Sequence, residues 1–356
     1  MEKIIYLILN KIIFNLKMEI IPHDFIIGPV SLTEFLATDG SSKHIYCFGD
    51  YHHHDSSSCP SDDMQNPIYI NDFLRNTILI NSDKIIDLFL EIAFINRESP
   101  IKGENIHGDN FITGIENEFK GCFEIDKSNC TFPNLRAHYS DIRISAYFNP
   151  LTDLSTYLTM YEGIIDSGEL SKAEILSQLL LEIRKIRNTL TFPLDINFIL
   201  GIPKIKRQLD NIPNLDIKHK LLNFIQSKLP IINIEDLDDI FNGVTSDLRL
   251  NIVYFKSMKF KIKVVNLHLK LIEFEAKLMD LYLLARIFRQ FSDGTECNNI
   301  IIYTGRVHTK LYNEFFALLG FKLVNSSFSD YQCLNISSFK QPFFSEEIPK
   351  LKLIIS

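Results

Sequence analysis

Short apolar runs near both ends of the chain predict buried β-strands. They cover Ile45–Phe48, Lys84–Ile92, Asn299–Thr304 and Phe321–Asn325, and each is four to nine residues long, the usual length of a strand. Apolar residues recur at helical spacing between the last two runs, over Thr309–Leu319, with Gly320 where a helix C-cap belongs. The end of the chain therefore predicts strand, helix, strand.

Helical patterns occur between the first two predicted strands and through most of residues 151–290. Ile68–Ile80, Ser171–Leu190, Asp216–Lys228 and Asn266–Phe291 carry apolar residues three and four positions apart. The second of these begins with Ser-x-x-Glu, the pattern of a capping box. A shorter helix is predicted over Ser31–Leu36.

Together these elements predict an α/β fold. We expect a mixed or mostly parallel sheet built from both ends of the chain, with a large helical insertion at residues 151–291. The strand–helix–strand order over residues 45–92 is typical of a parallel β-α-β unit. Residues 18–356 are predicted to form a single domain. Residues 1–17 suit a short amphipathic helix, but we favour a leader preceding a true start at Met18.

Composition narrows the classes of partner. A net charge of −7 argues against a broad nucleic-acid surface, since phosphate binding needs clustered Lys and Arg. No segment from residue 18 onward predicts a transmembrane helix. The six cysteines contain no Cys-x-x-Cys pair, which argues against a zinc ribbon. We favour reduced thiols and a cytoplasmic location (host cytoplasm for a viral protein), although Cys122 and Cys130 would close a loop in an oxidising compartment.

Histidines and a carboxylate follow the predicted strands. Gly49-Asp50-Tyr51-His52 continues into His53 and His54, Glu91 ends the second strand, and Gly305-Arg306-Val307-His308 follows the third. Ligand and catalytic groups collect beyond the carboxyl ends of strands in open α/β sheets. Histidine with carboxylate is metal-ligand chemistry. We therefore predict a divalent metal ion, with Mn, Co and Zn not distinguished, bound by His52, Glu91 and His308 with help from His54 or His138.

The polar stretch Arg136–Arg143 supplies further candidates. Asp50 or Asp141 would orient a ligand or act as a base, and Arg143 would bind an anionic group of the substrate. The alternatives are structural: a solvated histidine-rich loop after Asp50, and a salt-bridged turn around His138, Asp141 and Arg143.

These residues resemble the signature of the TraB/TIKI superfamily, which is related to erythromycin esterases and ChaN-type proteins. The matching positions are Gly49 with His52, Glu91, Arg143 (less surely Arg136), and Gly305 with His308. The resemblance implies an α/β fold with a helical insertion. It also implies a metal-dependent hydrolase site, of peptidase or esterase type, acting on a small-molecule or peptide substrate.

The stretches Ile45–His52 and Asp87–Ile92 also resemble uncharacterised proteins of large DNA viruses. His53 and His54, and the long segment after Glu91, depart from the TraB/TIKI pattern and leave the substrate class open.

Two other functions stay open. The run Asp50–His54 also resembles the first motif of PHP-type and amidohydrolase metal phosphoesterases, but residues 151–290 show too few β-α alternations for a barrel. A non-catalytic binding or host-interaction protein on the same fold is the other alternative. The glycine-rich segment Asn96–Pro133 is predicted to be a lid over the site, or else a remote surface insertion.

Overall fold

The structure is a computed structural model that describes residues 22–51, 67–93, 111–123, 127–143, 151, 153–160, 173–250 and 258–344. The strands are β1 Phe25–Ile27, β2 Ser31–Leu36, β3 His44–Asp50, β4 Pro67–Tyr69, β5 Ile86–Ala93, β6 Leu135–Asp141, β7 Asn299–Gly305, β8 Lys322–Phe328 and β9 Cys333–Asn335. The helices are α1 Ile70–Ile80, α2 Phe111–Glu118, α3 Ala173–Thr189, α4 Ile196–Leu200, α5 Pro203–Asp210, α6 Leu215–Lys228, α7 Ile234–Leu250, α8 Met258–Phe288 and α9 Arg306–Leu318. A further helical stretch covers residues 153–160.

The main sheet has six strands in the order β6-β5-β7-β3-β2-β8. The first four run parallel, whereas β2 is antiparallel to both β3 and β8. Strand β7, from the end of the chain, lies between β3 and β5. The predicted α/β fold, with a sheet built from both ends of the chain, is confirmed, and β3 and β5 are parallel but not adjacent.

Alternating side chains give the sheet two buried faces. On β3, Ile45 and Cys47 face the inserted helices, whereas Tyr46 and Phe48 face a second core with α1, α2 and residues 332–344. The helical face is dominated by α8, whose C-terminal half, residues 274–288, is buried on nearly all sides. Helix α9 packs on the same face through Leu311. Any polar group on this face is thus enclosed between sheet and helices.

Several local predictions need correction. Ser31–Leu36 is a strand, not a helix, because it pairs along its whole length with β3 on one side and β8 on the other. Such pairing overrides weak local propensity. Gly320 does follow α9 with φ +82°, as predicted for a C-cap glycine. Cys122 and Cys130 form a disulfide, contrary to the favoured reduced thiols.

Other predictions concern residues outside the described ranges. Residues 1–17, Ser171 of the capping box and residues 96–110 of the predicted lid all lie there, so the leader, the cap, the lid and the single-domain assignment stay predictions. Within the described part of the lid segment, α2 packs on α1 and β5. None of the described helices combines the length and apolarity needed to cross a membrane. The Cys122–Cys130 disulfide counts against the predicted cytoplasmic location, because disulfides are rare in a reducing cytoplasm. The location therefore also stays a prediction.

Candidate functional site

The carboxyl ends of β3, β5, β6 and β7 meet at one edge of the sheet, which we call the carboxyl edge. On β5, Asp87, Phe89 and Glu91 alternate with Leu88 and Leu90, which belong to the second core. Glu91 therefore faces the inserted helices, and its side chain is only 8% exposed. A carboxylate in such a place needs cations or hydrogen-bond donors around it.

The two oxygens of Glu91 have different neighbours. Oε2 accepts a hydrogen bond of 2.6 Å from the backbone N–H of Gly305, at the N-terminus of α9. Oε1 lies 3.5 Å from His308 Nε2 and 3.7 Å from Arg143 Nη2. One oxygen thus anchors the carboxylate, and the other faces the imidazole and the guanidinium across short gaps.

His308 is oriented by a buried carboxylate on α8. Its Nδ1–H donates to Asp280 Oδ1 at 2.6 Å, which directs the other ring nitrogen, Nε2, towards Glu91. Asp280 is fully buried, and its second oxygen pairs with Lys277 Nζ at 3.3 Å. Burial lowers the pKa of His308, but the charges of Asp280 and Glu91 outweigh burial, so the pKa is raised above its usual value.

Arg143 follows β6 and is held by Asp141. Two hydrogen bonds, Nε to Oδ1 at 2.9 Å and Nη2 to Oδ2 at 2.8 Å, form a bidentate pair. Burial lowers the pKa of Arg143, but the carboxylates of Asp141, Glu91 and Glu275 raise the pKa by more than burial lowers it. The guanidinium therefore stays charged. The pair fixes a permanent cation beside Glu91.

Negative charge exceeds positive charge at this edge. The named groups form the carboxyl-edge cluster, in which four carboxylates face two permanent cations and one imidazole: Glu91, Asp141, Glu275, Asp280, Arg143, Lys277 and His308. Among these named groups the excess is two negative charges; a proton on His308 balances one of them, and an added divalent cation balances both. Two ligands bound tetrahedrally at ~2.0–2.2 Å to one ion lie about 3.3–3.6 Å apart. The 3.5 Å between Glu91 Oε1 and His308 Nε2 fits that geometry.

Gly49 allows α9 to approach β3 closely. A Cβ at this position would lie 2.4 Å from Ser31 Oγ, 3.2 Å from Arg306 Cα and 3.2 Å from Thr309 Oγ1. Neither motif glycine adopts a left-handed backbone conformation: Gly49 has no positive φ, and Gly305 has φ −57°. Lack of a side chain at Gly49 instead lets the first turn of α9, with His308, lie against the strand.

Of the predicted site residues, the structure brings together Glu91, Asp141, Arg143 and His308. Asp50 lies at the same edge but shares the face of Tyr46 and Phe48, and it accepts a hydrogen bond of 3.0 Å from Gln332. His52 and His54 lie outside the described residues.

His138, predicted to assist the same ion as Glu91 and His308, lies instead in a second cluster at the opposite end of the strands. Its Nε2 is 2.8 Å from Asp87 Oδ1, and its Nδ1 is 3.0 Å from Arg286 Nη2. Because Arg286 can only donate, Nδ1 is the acceptor and Nε2 carries the proton. Burial and the charge of Arg286 lower the pKa of His138 to about 3, so the ring is neutral.

Three residues of this second cluster have the chemistry of metal ligands. Asp87, His138 and Cys297 each offer one atom within 4.8 Å of the others, and all are buried. However, Arg136 already binds both oxygens of Asp87, at 2.8 and 2.7 Å. Burial raises the pKa of the Cys297 thiol, which opposes the thiolate form that metals bind. The hydrogen of His138 Nε2 also faces Asp87, so this group is a weaker candidate for a metal centre than the carboxyl-edge cluster.

The sequence pattern did not single out Asp280 and Lys277, because both lie in the long helix α8 among apolar residues. A signal existed: Asp280 stands between Met279 and Leu281 in an apolar run, like Glu91 in β5. A lone carboxylate among buried positions indicates a partner elsewhere in the fold.

The fold and this edge define an α/β protein with an acidic, histidine-containing site. No known family model and no solved structure matches the chain. It is 26% identical over 359 residues to "Uncharacterized protein R706" of Acanthamoeba polyphaga mimivirus, covering 82% of this chain and 83% of that protein. It is also 31% identical over 132 residues to "Uncharacterized protein R129" of the same virus, covering 34% of this chain and 74% of that protein. The chain belongs to the family of these viral proteins, whose names state no activity.

Proposed function

We propose that the carboxyl-edge cluster is the active centre of a metal-dependent hydrolase of peptidase or esterase type. The observation that carries the proposal is the facing pair of Glu91 Oε1 and His308 Nε2, 3.5 Å apart in a buried site with excess negative charge. The resemblance to the TraB/TIKI superfamily supports it, because Glu91, Arg143 and His308 are three of the positions that carry that resemblance. His52, two residues after Asp50, is the expected third ligand.

Each residue of the cluster has a role in this proposal. Glu91 and His308 would hold the ion, and Asp280 fixes the imidazole orientation through Nδ1, as carboxylates do around metal-bound histidines. A bound divalent ion would lower the pKa of a water ligand and polarise the scissile carbonyl. Arg143, kept in place by Asp141, would bind the developing negative charge of the substrate.

Metal binding is the first test. Purified protein is stripped of metal and titrated calorimetrically with Mn²⁺, Co²⁺ and Zn²⁺, and hydrolysis of ester and peptide substrates is measured with the ion that binds. We expect Glu91→Gln, His308→Ala and the double variant His52→Ala/His308→Ala to lose both binding and turnover.

Cys297→Ser provides the matched control, because it removes a potential ligand from the second cluster and leaves the carboxyl edge unchanged. Loss of metal in Cys297→Ser but not in Glu91→Gln would assign the ion to Asp87, His138 and Cys297 and overturn the proposed centre. No uptake of any of the three ions by the wild-type protein would also overturn it. Metal binding without turnover of any substrate would favour a non-catalytic binding protein.

A further inference from the structure

The second cluster, at the amino end of the strands, carries excess positive charge. We call it the amino-edge cluster: Asp87, Arg136, His138, Arg286 and Arg289. His138 is neutral, so three guanidinium groups face the carboxylate of Asp87, and Asp293 adds a second negative charge near Arg136, which leaves an excess of one positive charge. Burial and the charge of Arg286 lower the pKa of Arg289 to about 10, which still leaves this side chain charged at neutral pH.

The three arginines are not equally satisfied. Arg136 binds Asp87 through two nitrogens. Arg286 donates only to neutral groups, the Tyr282 hydroxyl at 2.7 Å and His138 Nδ1 at 3.0 Å. Arg289 donates to the amide oxygen of Gln208 at 2.5 Å.

One N–H donor on each of Arg286 and Arg289 has no hydrogen-bond partner in the part of the chain that the structure describes. Among the described residues, no carboxylate forms an ion pair with Arg286 or Arg289, and the Nε atoms of both are buried without an acceptor. Unpaired buried donors on charged groups are costly, which indicates an acceptor that comes from outside the chain.

The end of α8 does not account for this charge. The helix ends at Phe288, and a cation near a helix C-terminus is stabilised by a partial charge of roughly −0.5. That partial charge offsets only a fraction of the excess, and it offers no acceptor to the two Nε–H groups.

We propose that Arg286 and Arg289, with Arg136 beside them, form a binding site for a phosphate group. A phosphate monoester is an anion with three acceptor oxygens, which serve donors on two separate guanidinium groups better than the two oxygens of a carboxylate do. Both side chains are half-buried, and the ring of Phe291 lies 4.4 Å from the guanidinium carbons of Arg136 and Arg289. Arg136 also lines a cavity of about 530 Å³ with Thr295 and Glu296, and Arg286 and Arg289 are themselves partly exposed to solvent.

This site is distinct from the proposed active centre. Asp87 and Glu91 lie four residues apart on β5, or about 13 Å along the strand, with Phe89 between them. The sheet face thus presents an acidic, cation-attracting end and a basic, anion-attracting end.

Phosphate binding by the full-length protein tests the proposal. Inorganic phosphate is titrated in the presence of EDTA and at constant ionic strength, with acetate in a parallel arm, and binding is followed by calorimetry and by the melting temperature. We expect saturable binding of phosphate and not of acetate. Arg286→Gln and Arg289→Gln should each weaken binding about tenfold or more, since each removes charge-assisted hydrogen bonds. Glu91→Gln should bind phosphate as the wild type does.

The matched control is Arg184→Gln, an exposed arginine on α3 stacked 5.2 Å from the ring of Phe241, which should not change phosphate affinity. Without phosphate, Arg289→Gln should melt at the same or a higher temperature, because it removes a half-buried charge that no carboxylate compensates. Replacement of an arginine with a purely structural role would lower the melting temperature. Absence of saturable binding by the wild type up to about 10 mM phosphate, a free energy of binding weaker than about −2.7 kcal/mol, would overturn the proposal. Equal loss in Arg184→Gln, or a lower melting temperature for phosphate-free Arg289→Gln, would also contradict it.

Discussion

Replacing Asp280 by Asn should destabilise the protein strongly, although the two side chains have nearly the same shape. Asp280 is fully buried and accepts from His308 at 2.6 Å and from Lys277 at 3.3 Å. Exchanging a charge-assisted bond to His308 for a neutral one costs about 1 kcal/mol. Leaving Lys277, whose side chain is 12% exposed, without its counter-ion costs a further ~1–3 kcal/mol.

We therefore expect Asp280→Asn to lower the free energy of unfolding by about 2–4 kcal/mol, measured by urea unfolding with an unchanged m-value. Adding Lys277→Met should restore about 1–2 kcal/mol, because the lysine no longer needs a partner. If the histidine binds an ion, the same Asn substitution should weaken metal affinity 10- to 100-fold.

The surface pair of Asp239 and Lys263 provides the control. These atoms are closer, at 2.6 Å, but the side chains are 55% and 43% exposed, so Asp239→Asn should cost less than about 0.5 kcal/mol. A cost for Asp280→Asn no larger than that for Asp239→Asn, or no recovery with Lys277→Met, would refute the reasoning that burial determines the strength of this pair.

Three further predictions concern other parts of the fold. Burial lowers the pKa of His138 from 6.5 to about 3, so its contribution to stability is complete above pH 6.5 and is lost as the pH falls towards 3, by up to about 5 kcal/mol. Urea unfolding should therefore give a lower free energy of unfolding at pH 5 than at pH 7, and a pH-independent difference between wild type and His138→Asn would contradict this. Gly49→Ala should lower the free energy of unfolding by about 1–3 kcal/mol through overpacking. The loss should be smaller in a Ser31→Ala background, because the added Cβ would lie 2.4 Å from Ser31 Oγ. Equal losses in both backgrounds would exclude that contact as the cause. Reduction of the Cys122–Cys130 disulfide, which joins residues 8 positions apart, should lower the free energy of unfolding by about 2–3 kcal/mol on the loop-entropy account; an unchanged urea midpoint would contradict this.

Much of the fold follows from local pattern. The strands at β3, β5 and β7 and the helices α6 and α9 were predicted within a few residues, because buried apolar runs and helical spacing are local signals. The exception, Ser31–Leu36, is a strand through pairing with β3 and β8, which are distant in sequence from one another. The strand order could not be predicted from the sequence either, because nothing in the apolar pattern indicates that β7 lies between β3 and β5.

The candidate site was predictable only in part, for a related reason. A charged residue that ends a buried strand signals a polar site, and this signal identified Glu91 together with the motif containing His308. The partner of His308 lies 28 residues earlier on a different helix, so no spacing rule links the two.

By itself, the sequence indicated which apolar runs are buried and which side chains of a strand share a face. The alternation along β5 is local and places Asp87 and Glu91 on one face whatever the rest of the chain does. Only the tertiary structure decided what meets those two carboxylates: α8 brings Asp280 and Lys277 to one end of the sheet and Arg286 and Arg289 to the other. The physical reason is that side-chain electrostatics act across gaps of a few ångströms, and those gaps exist only after helices and sheet have packed.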